Sequence, residues 1–335
     1  MSAGWPRRQP RSRSNSPYKI IIEGGLMERS GPTVVGEVAD RPRRRRTRPS
    51  GIARRQPRHP ALQSVLSRPR FEVLPTPGVE AQVITELPTD ATVTVTASPR
   101  QGITATVDLA IGLAGRGVHA VPHLSARLIP DTSVLRRIIG DLEDAGIDEV
   151  FVIGGDPTEP VGEFGSALDL LSAMRTIGHR FTIGIAGYPE PHPRIADDLT
   201  IQAMWDKRRE ASYIVSQLCF DPKLLTSWIR RVRRRGVQLP ILIGVAGPAD
   251  VAKLLRIGRR IGVGGSARLL SHHTGLLRVA RPGSWRPDGL LGDLEPAFAD
   301  PSHGLTGVHI YTFNALRAAE RWRREMLQQN GADPP

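Results

Sequence analysis

From residue 70 onward the chain alternates short, nearly continuous apolar runs with longer stretches whose apolar positions recur every three or four residues. The runs are RFEVLP at 70–75, TVTVTA at 92–97, VHAVPHL at 118–124, EVFVIG at 149–154, FTIGIAG at 181–187, YIVSQLC at 213–219, PILIGV at 240–245 and VHIYTF at 308–313. Most are rich in Val and Ile and apolar on successive positions, which predicts parallel strands covered on both faces. Between them, DTSVLRRIIGDLEDAG predicts a helix. It has an acidic cap at Asp131, apolar residues at Val134, Leu135, Ile138, Ile139 and Leu142, and a stop at Gly146. DPKLLTSWIRRVRRRG, from Asp221 to Gly236, has the same design, so the arginine run at 230–235 reads as a helix's solvated outer face and last turn. Residues 279–304 break the rhythm and read as a long loop.

Strand and helix alternating eight times over residues 70–330 is the signature of an α/β chain folded as a (β/α)8 TIM barrel. A doubly wound open sheet is the competitor. Against it, no G-x-G-x-x-G follows the first strand, and the glycine cluster GVGG at 262–265 comes too late and lacks the spacing. The expected organisation is an Arg/Pro-rich extension at 1–69 followed by the barrel at 70–330.

Charge divides the chain at the same place. Residues 1–70 hold 17 Lys+Arg against 4 Asp+Glu, the whole of the net charge of +13, whereas residues 71–335 hold 29 of each. Segments such as RPRRRRTRPS have almost no apolar periodicity and are expected to stay disordered. The extension reads either as a solvated tail, in part a product of a start upstream of Met27, or as an arm whose arginines bind RNA or a membrane surface through phosphates. No aromatic residues interleave the arginine runs, as a stacking platform requires. The single cysteine, Cys219, excludes a disulfide framework within the chain and every multi-cysteine metal pattern, and fits a reducing compartment. With no apolar stretch near the roughly 18 residues that span a bilayer, the expectation is a cytoplasmic protein with no membrane partner.

In a barrel of this kind chemistry collects at the carboxyl ends of the strands. Glu72 lies within strand one, Thr96 ends strand two and His123 ends strand three. Asp156 follows strand four, Tyr188 and His192 follow strand five, Gln217 lies near the end of strand six, and Thr312 and Asn314 close strand eight. Singly, each has a structural alternative: a carboxylate bonded to backbone amides, a core histidine satisfied by a carbonyl, an amide bridging two strands. Together they mark one rim, where Glu72 is suited to general acid work. Cys219, on an apolar strand, reads as a small hydrophobe, and His272–His273 lack the spacing of a zinc pair; no metal is expected.

Seven segments in order, FEVLPTP, VTVTAS, PHLSAR, IGGDPTEP, AGYPEPHP, IVSQLCFD and HIYTFN, give the chain a pattern that resembles the methylenetetrahydrofolate reductase family. The matching family motifs are F-E-F-x-P-P, P-H-L-T-C, R-G-D-x-P, A-Y-P-E-x-H-P, I-T-Q-x-F-F-D and F-Y-T-L-N. The resemblance implies a TIM barrel that reduces 5,10-methylenetetrahydrofolate to 5-methyltetrahydrofolate with hydride from NADH or NADPH, usually through bound FAD. It makes Glu72 the proton donor for ring opening and places Asp156 beside the pterin, where its charge stabilises the iminium cation that accepts hydride. Gln217 becomes the residue that hydrogen-bonds the pterin edge, with Thr312 also at the substrate. Thr96, His123, Tyr188 and His192 fall on family positions that touch the flavin, and Lys207 on its basic helix. Two departures bear on the flavin. Gly154 stands where the family has arginine, and the basic helix is shortened to MWDKRREAS. The expectation is therefore a reductase in which hydride arrives directly or through a weakly held flavin. The alternatives are a barrel that binds or transfers one-carbon folates without reduction, and a nucleic-acid-associated protein acting through its basic tail. NADH against NADPH, and the oligomeric state, stay open.

Overall fold

The structure, a computed structural model, describes residues 60–157, 159–190, 197–267, 270 and 285–330. Its centre is a closed barrel of eight strands in chain order. They are β1 (Arg70–Val73), β2 (Thr92–Val95), β3 (His119–Ser125), β4 (Glu149–Ile153), β5 (Thr182–Gly187), β6 (Tyr213–Ser216), β7 (Ile241–Ala246) and β8 (Leu305–Tyr311). All neighbours are parallel, and β1 closes the barrel by pairing with both β2 and β8: Glu72 stands opposite Thr94 on one side and Tyr311 on the other. The eight predicted runs each contain or overlap one of these strands.

Alternation along each strand builds two cores. Phe71, Val73, Val93, Val95, Val150, Val152, Ile183 and Ile185 point outward into the layer beneath the helices. Val121, Phe151, Tyr213 and Val215 form a smaller cluster inside the barrel. At the amino end of the barrel, Arg70 donates to Glu149 Oε1 at 2.5 Å and to the Tyr213 hydroxyl at 2.9 Å, so a buried ion pair and a phenol close that end.

The helices follow the sequence signals. Asp131 caps Thr132–Asp144 by accepting from the Val134 amide, and Asp221 caps Pro222–Arg234 by accepting from Lys223 and Leu224. Gly146, with φ of +75°, supplies the left-handed turn that carries the first of these toward β4. The arginine run is only partly a solvated face. Arg230, Arg234 and Arg235 are exposed, but Arg233 donates to the carbonyls of Val237, Leu239, His303 and Gly304, stitching the approaches to β7 and β8 together.

Two expectations are corrected. The segment read as a loop at 279–304 contains a helix, Asp288–Ala299, whose Leu290, Leu291, Leu294 and Ala297 are buried. Gly289, Gly292 and Pro296 read as breakers, but that apolar spacing buries one helical face and outweighs them. Residues 60–67, assigned to the extension, form a helix with Leu62 and Leu66 in the barrel's outer core. Residues 1–59, His192 and His272–His273 lie outside the described residues. Among the described residues no helix is long and apolar enough to cross a membrane, and no cluster of His, Cys, Asp and Glu could hold a metal ion.

Candidate active site

Glu72 is the third residue of β1 and points inward between two histidines. Its Oε2 lies 3.1 Å from His309 Nε2 on β8 and 3.8 Å from His123 Nε2 on β3, and its side chain keeps 18% exposure. Both imidazoles are buried, and each leaves a ring nitrogen unpartnered: Nε2 of His123 and Nδ1 of His309. Burial among Phe151 and its neighbours pushes His123 down to about 4, with His309 adding to that and Glu72 opposing it, so at neutral pH this ring is uncharged.

The backbone around Glu72 is held from the other end of the chain. Thr312 Oγ1 donates to the Glu72 carbonyl at 2.5 Å and accepts from the Asn314 amide at 3.1 Å. Phe313 and Asn314 adopt left-handed backbone, with φ of +49° and +61°. Asn314 then accepts from the Leu74 amide and donates to the Leu74 carbonyl and the Thr76 hydroxyl. Asn314 thus joins the exits of β8 and β1 at the rim. Thr96 sits beside them, its amide donating to Val73 and its carbonyl accepting from Thr106.

Asp156 is exposed in the loop after β4. Arg127 brackets it: its amide donates to Gly154, and its guanidinium to Pro157 and Gly165. Gly155 has φ of +99°, and a Cβ there would lie 2.1 Å from Ser125 Oγ, so only glycine fits between β3 and this loop. Tyr188 and Tyr311 connect the two carboxylates electrostatically. Burial raises Tyr188, with Asp156 adding to it; burial also raises Tyr311 well above the usual phenol range, with Glu72 and Tyr188 adding to that. The Gln217 amide donates to Gly187 and its Oε1 accepts from Leu218 at 2.8 Å, which leaves the side-chain NH2 without a partner among the described residues. Glu190 is buried and accepts from the Ser266 amide and hydroxyl, while that hydroxyl accepts from the Phe220 amide. The exits of β5 and β6 are thereby tied to the helix Gly264–Ala267.

Glu72, Thr96, His123, Asp156, Tyr188, Gln217 and Thr312 therefore gather at one end of the barrel. Lys207 stands apart from them. It ends the helix Asp197–Lys207, which descends from the exit of β5 to the entry of β6, so it lies a helix length, about 16 Å, from this rim. Cys219 is buried and pushed up to about 12, as befits a small hydrophobe rather than a nucleophile. The sequence reading passed over His309 and Tyr311, although their period of two on strand eight puts both on one face.

Among the described residues, few cations face the place of the flavin implied by the resemblance. Gly154 offers no cation, Lys207 is at the far end, and the Arg127 guanidinium is committed to carbonyls.

Comparison with known proteins places this geometry. The family model for methylenetetrahydrofolate reductase matches residues 82–272. The chain is similar to methylenetetrahydrofolate reductase (NADH) 1 of Arabidopsis thaliana, with 26% identity over 64% of this chain and 40% of that protein. It is also similar to a probable methylenetetrahydrofolate reductase (NADPH) of Caenorhabditis elegans, with 31% identity over 43% of this chain and 22% of that protein. The chain thus spans less than half the length of either relative. A Clostridium thermocellum protein described as binding two copies of 5-methyl-5,6,7,8-tetrahydrofolic acid shares the fold, with a TM-score of 0.57 at 11% identity over 79% of this chain and 98% of that one. The match includes Asp156 and Gln217 but stops short of β1 and β8, and barrel closure returns Glu72, His309 and Thr312 to the same rim. With more than half its residues matched and the barrel closed around them, the chain belongs to the methylenetetrahydrofolate reductase family.

Proposed function

We propose that this chain reduces 5,10-methylenetetrahydrofolate to 5-methyltetrahydrofolate with hydride from NADH or NADPH. The observation that carries the reading is Glu72: in a chain of this family, a carboxyl stands inside the barrel between two buried imidazoles with one oxygen left open. The substrate's five-membered ring opens when its N10–methylene bond breaks, and Glu72 gives the proton that N10 takes up. The methylene carbon is left as an iminium cation on N5. Hydride adds to that carbon and completes the methyl group. Asp156, in the loop after β4 whose backbone Arg127 holds, supplies a negative charge for the cation at the rim. The free NH2 of Gln217 is the donor for the pterin edge. His123, uncharged, adds no positive charge to a site that must stabilise one.

The test is anaerobic oxidation of NADH and, separately, NADPH by the purified protein with methylenetetrahydrofolate, read by absorbance before and after adding FAD. Turnover that needs no added FAD is expected. Glu72→Gln should lower kcat by about a hundredfold or more while still binding folate. A Glu72→Gln variant with full turnover would remove the acid role. Folate binding with no consumption of either nicotinamide would leave a barrel that binds one-carbon folates without reducing them.

A further inference from the structure

The column His309–Glu72–His123 contains more than the acid. In register, His309 lies opposite Arg70 on β1 and Gly244 on β7, one inward position deeper than Glu72, whereas His123 lies nearer the mouth. Both imidazoles address the same oxygen, Oε2, and only His309 is within hydrogen-bond distance, at 3.1 Å. Oε1 is neither buried nor bonded to a described residue. His309 is 2% exposed, is packed edge-on against Tyr311 with ring centroids 4.9 Å apart, and has an unpartnered Nδ1, so it has no competing hydrogen bond to turn it away.

We propose that His309 is the positioning residue for Glu72: its Nε2–H donates to Oε2, fixes the carboxyl rotamer, and leaves Oε1 as the oxygen that carries the acidic proton toward the barrel mouth. Whether Glu72 is ionised or holds its proton on Oε1, Oε2 only accepts hydrogen bonds, so the imidazole nitrogen facing it carries the proton. In the opposite tautomer the acid would donate into His309 and point its proton away from the substrate. The bond therefore determines where the proton sits as well as where the side chain sits. This assignment rests on the proposed reduction for its consequence, though the hydrogen bond can be read without it.

Two variants and one spectrum test it. His309→Leu keeps an apolar body and removes the donor; His309→Gln puts an amide N–H near the place of Nε2–H. His309→Leu should lower kcat about ten- to a hundredfold with KM for methylenetetrahydrofolate within about twofold, as outer-shell partners of reacting groups do. His309→Gln should recover most of the loss. In nitrogen-15 histidine spectra of the unliganded protein, the wild type should show His309 as the Nε2–H tautomer with a slowly exchanging proton, and Glu72→Leu should abolish that signal. Unchanged kcat in His309→Leu, a Gln variant as damaged as the Leu variant, or an Nδ1–H tautomer would each overturn the assignment. If the wild type reduces no folate, the proposed function fails, and the spectrum alone decides the hydrogen bond.

Discussion

A single buried ring gives the site a pH signature. His123 titrates near 4 in the folded chain against an ordinary 6.5, chiefly because burial disfavours its charged form. Above pH 6.5 folded and unfolded chains both hold it neutral, and its contribution to stability is fully present. As pH falls through the interval, the unfolded chain takes up a proton that the folded chain refuses, and stability falls with it. At about 1.4 kcal/mol per pH unit, the loss sums to about 3 kcal/mol by the time the folded-state value is passed. Urea unfolding of the wild type and of His123→Gln at pH about 7 and about 4.5 measures it. The wild type should lose more stability than the variant, and equal losses would mean that His123 is solvated or paired.

The elements were far more legible than the column they position. Parallel strands buried on both faces appear in a sequence as apolar runs, and all eight announced themselves that way. The helix Asp288–Ala299 was hidden because Gly289, Gly292 and Pro296 look like breakers one residue at a time, while the leucines between them act as a face. Lys207 was hard to place for another reason: a motif fixes a residue along the chain, and which end of the barrel it occupies depends on the direction of its helix. There it is buried, and burial holds it down to about 8 from an ordinary 10.5, with Asp206 opposing the shift. Its charge is therefore a cost to the fold at neutral pH, in full below pH 8 and relieved as pH rises toward 10.5. Lys207→Met should stabilise the protein by about 1–3 kcal/mol at neutral pH and flatten the alkaline rise in stability. Methylenetetrahydrofolate turnover should stay unchanged in that variant. A Lys207→Met protein that is stable but slow would restore a cofactor role to this lysine.

At the scale of the whole molecule, the site depends on how the two ends of the barrel's chain meet. Glu72 comes from the first strand and His309 and Thr312 from the eighth strand and its exit, so no local reading of sequence places them together; only closure does. Outside the strands, the same ends are fastened by one hydrogen bond from Arg323, a member of a buried ion pair within the last helix. Arg323, in the helix Leu316–Gln329, donates to Glu320 at 2.7 Å and to the Leu66 carbonyl at the end of the first helix at 2.9 Å, and it is 1% exposed. Removing one member of such a pair strands the other, so Arg323→Met should cost about 3 kcal/mol. That is the lower end of the usual range, because Arg324 still holds Glu320. Differential scanning calorimetry with and without 5-methyltetrahydrofolate separates fastening from chemistry. The variant should melt several degrees lower, yet gain the same ligand-dependent increment as the wild type wherever the closed barrel is populated, since binding stabilises by the ratio of ligand concentration to Kd. A smaller increment would mean that the fastening also shapes the rim. An unchanged melting temperature would mean that the barrel closes through β1 and β8 alone.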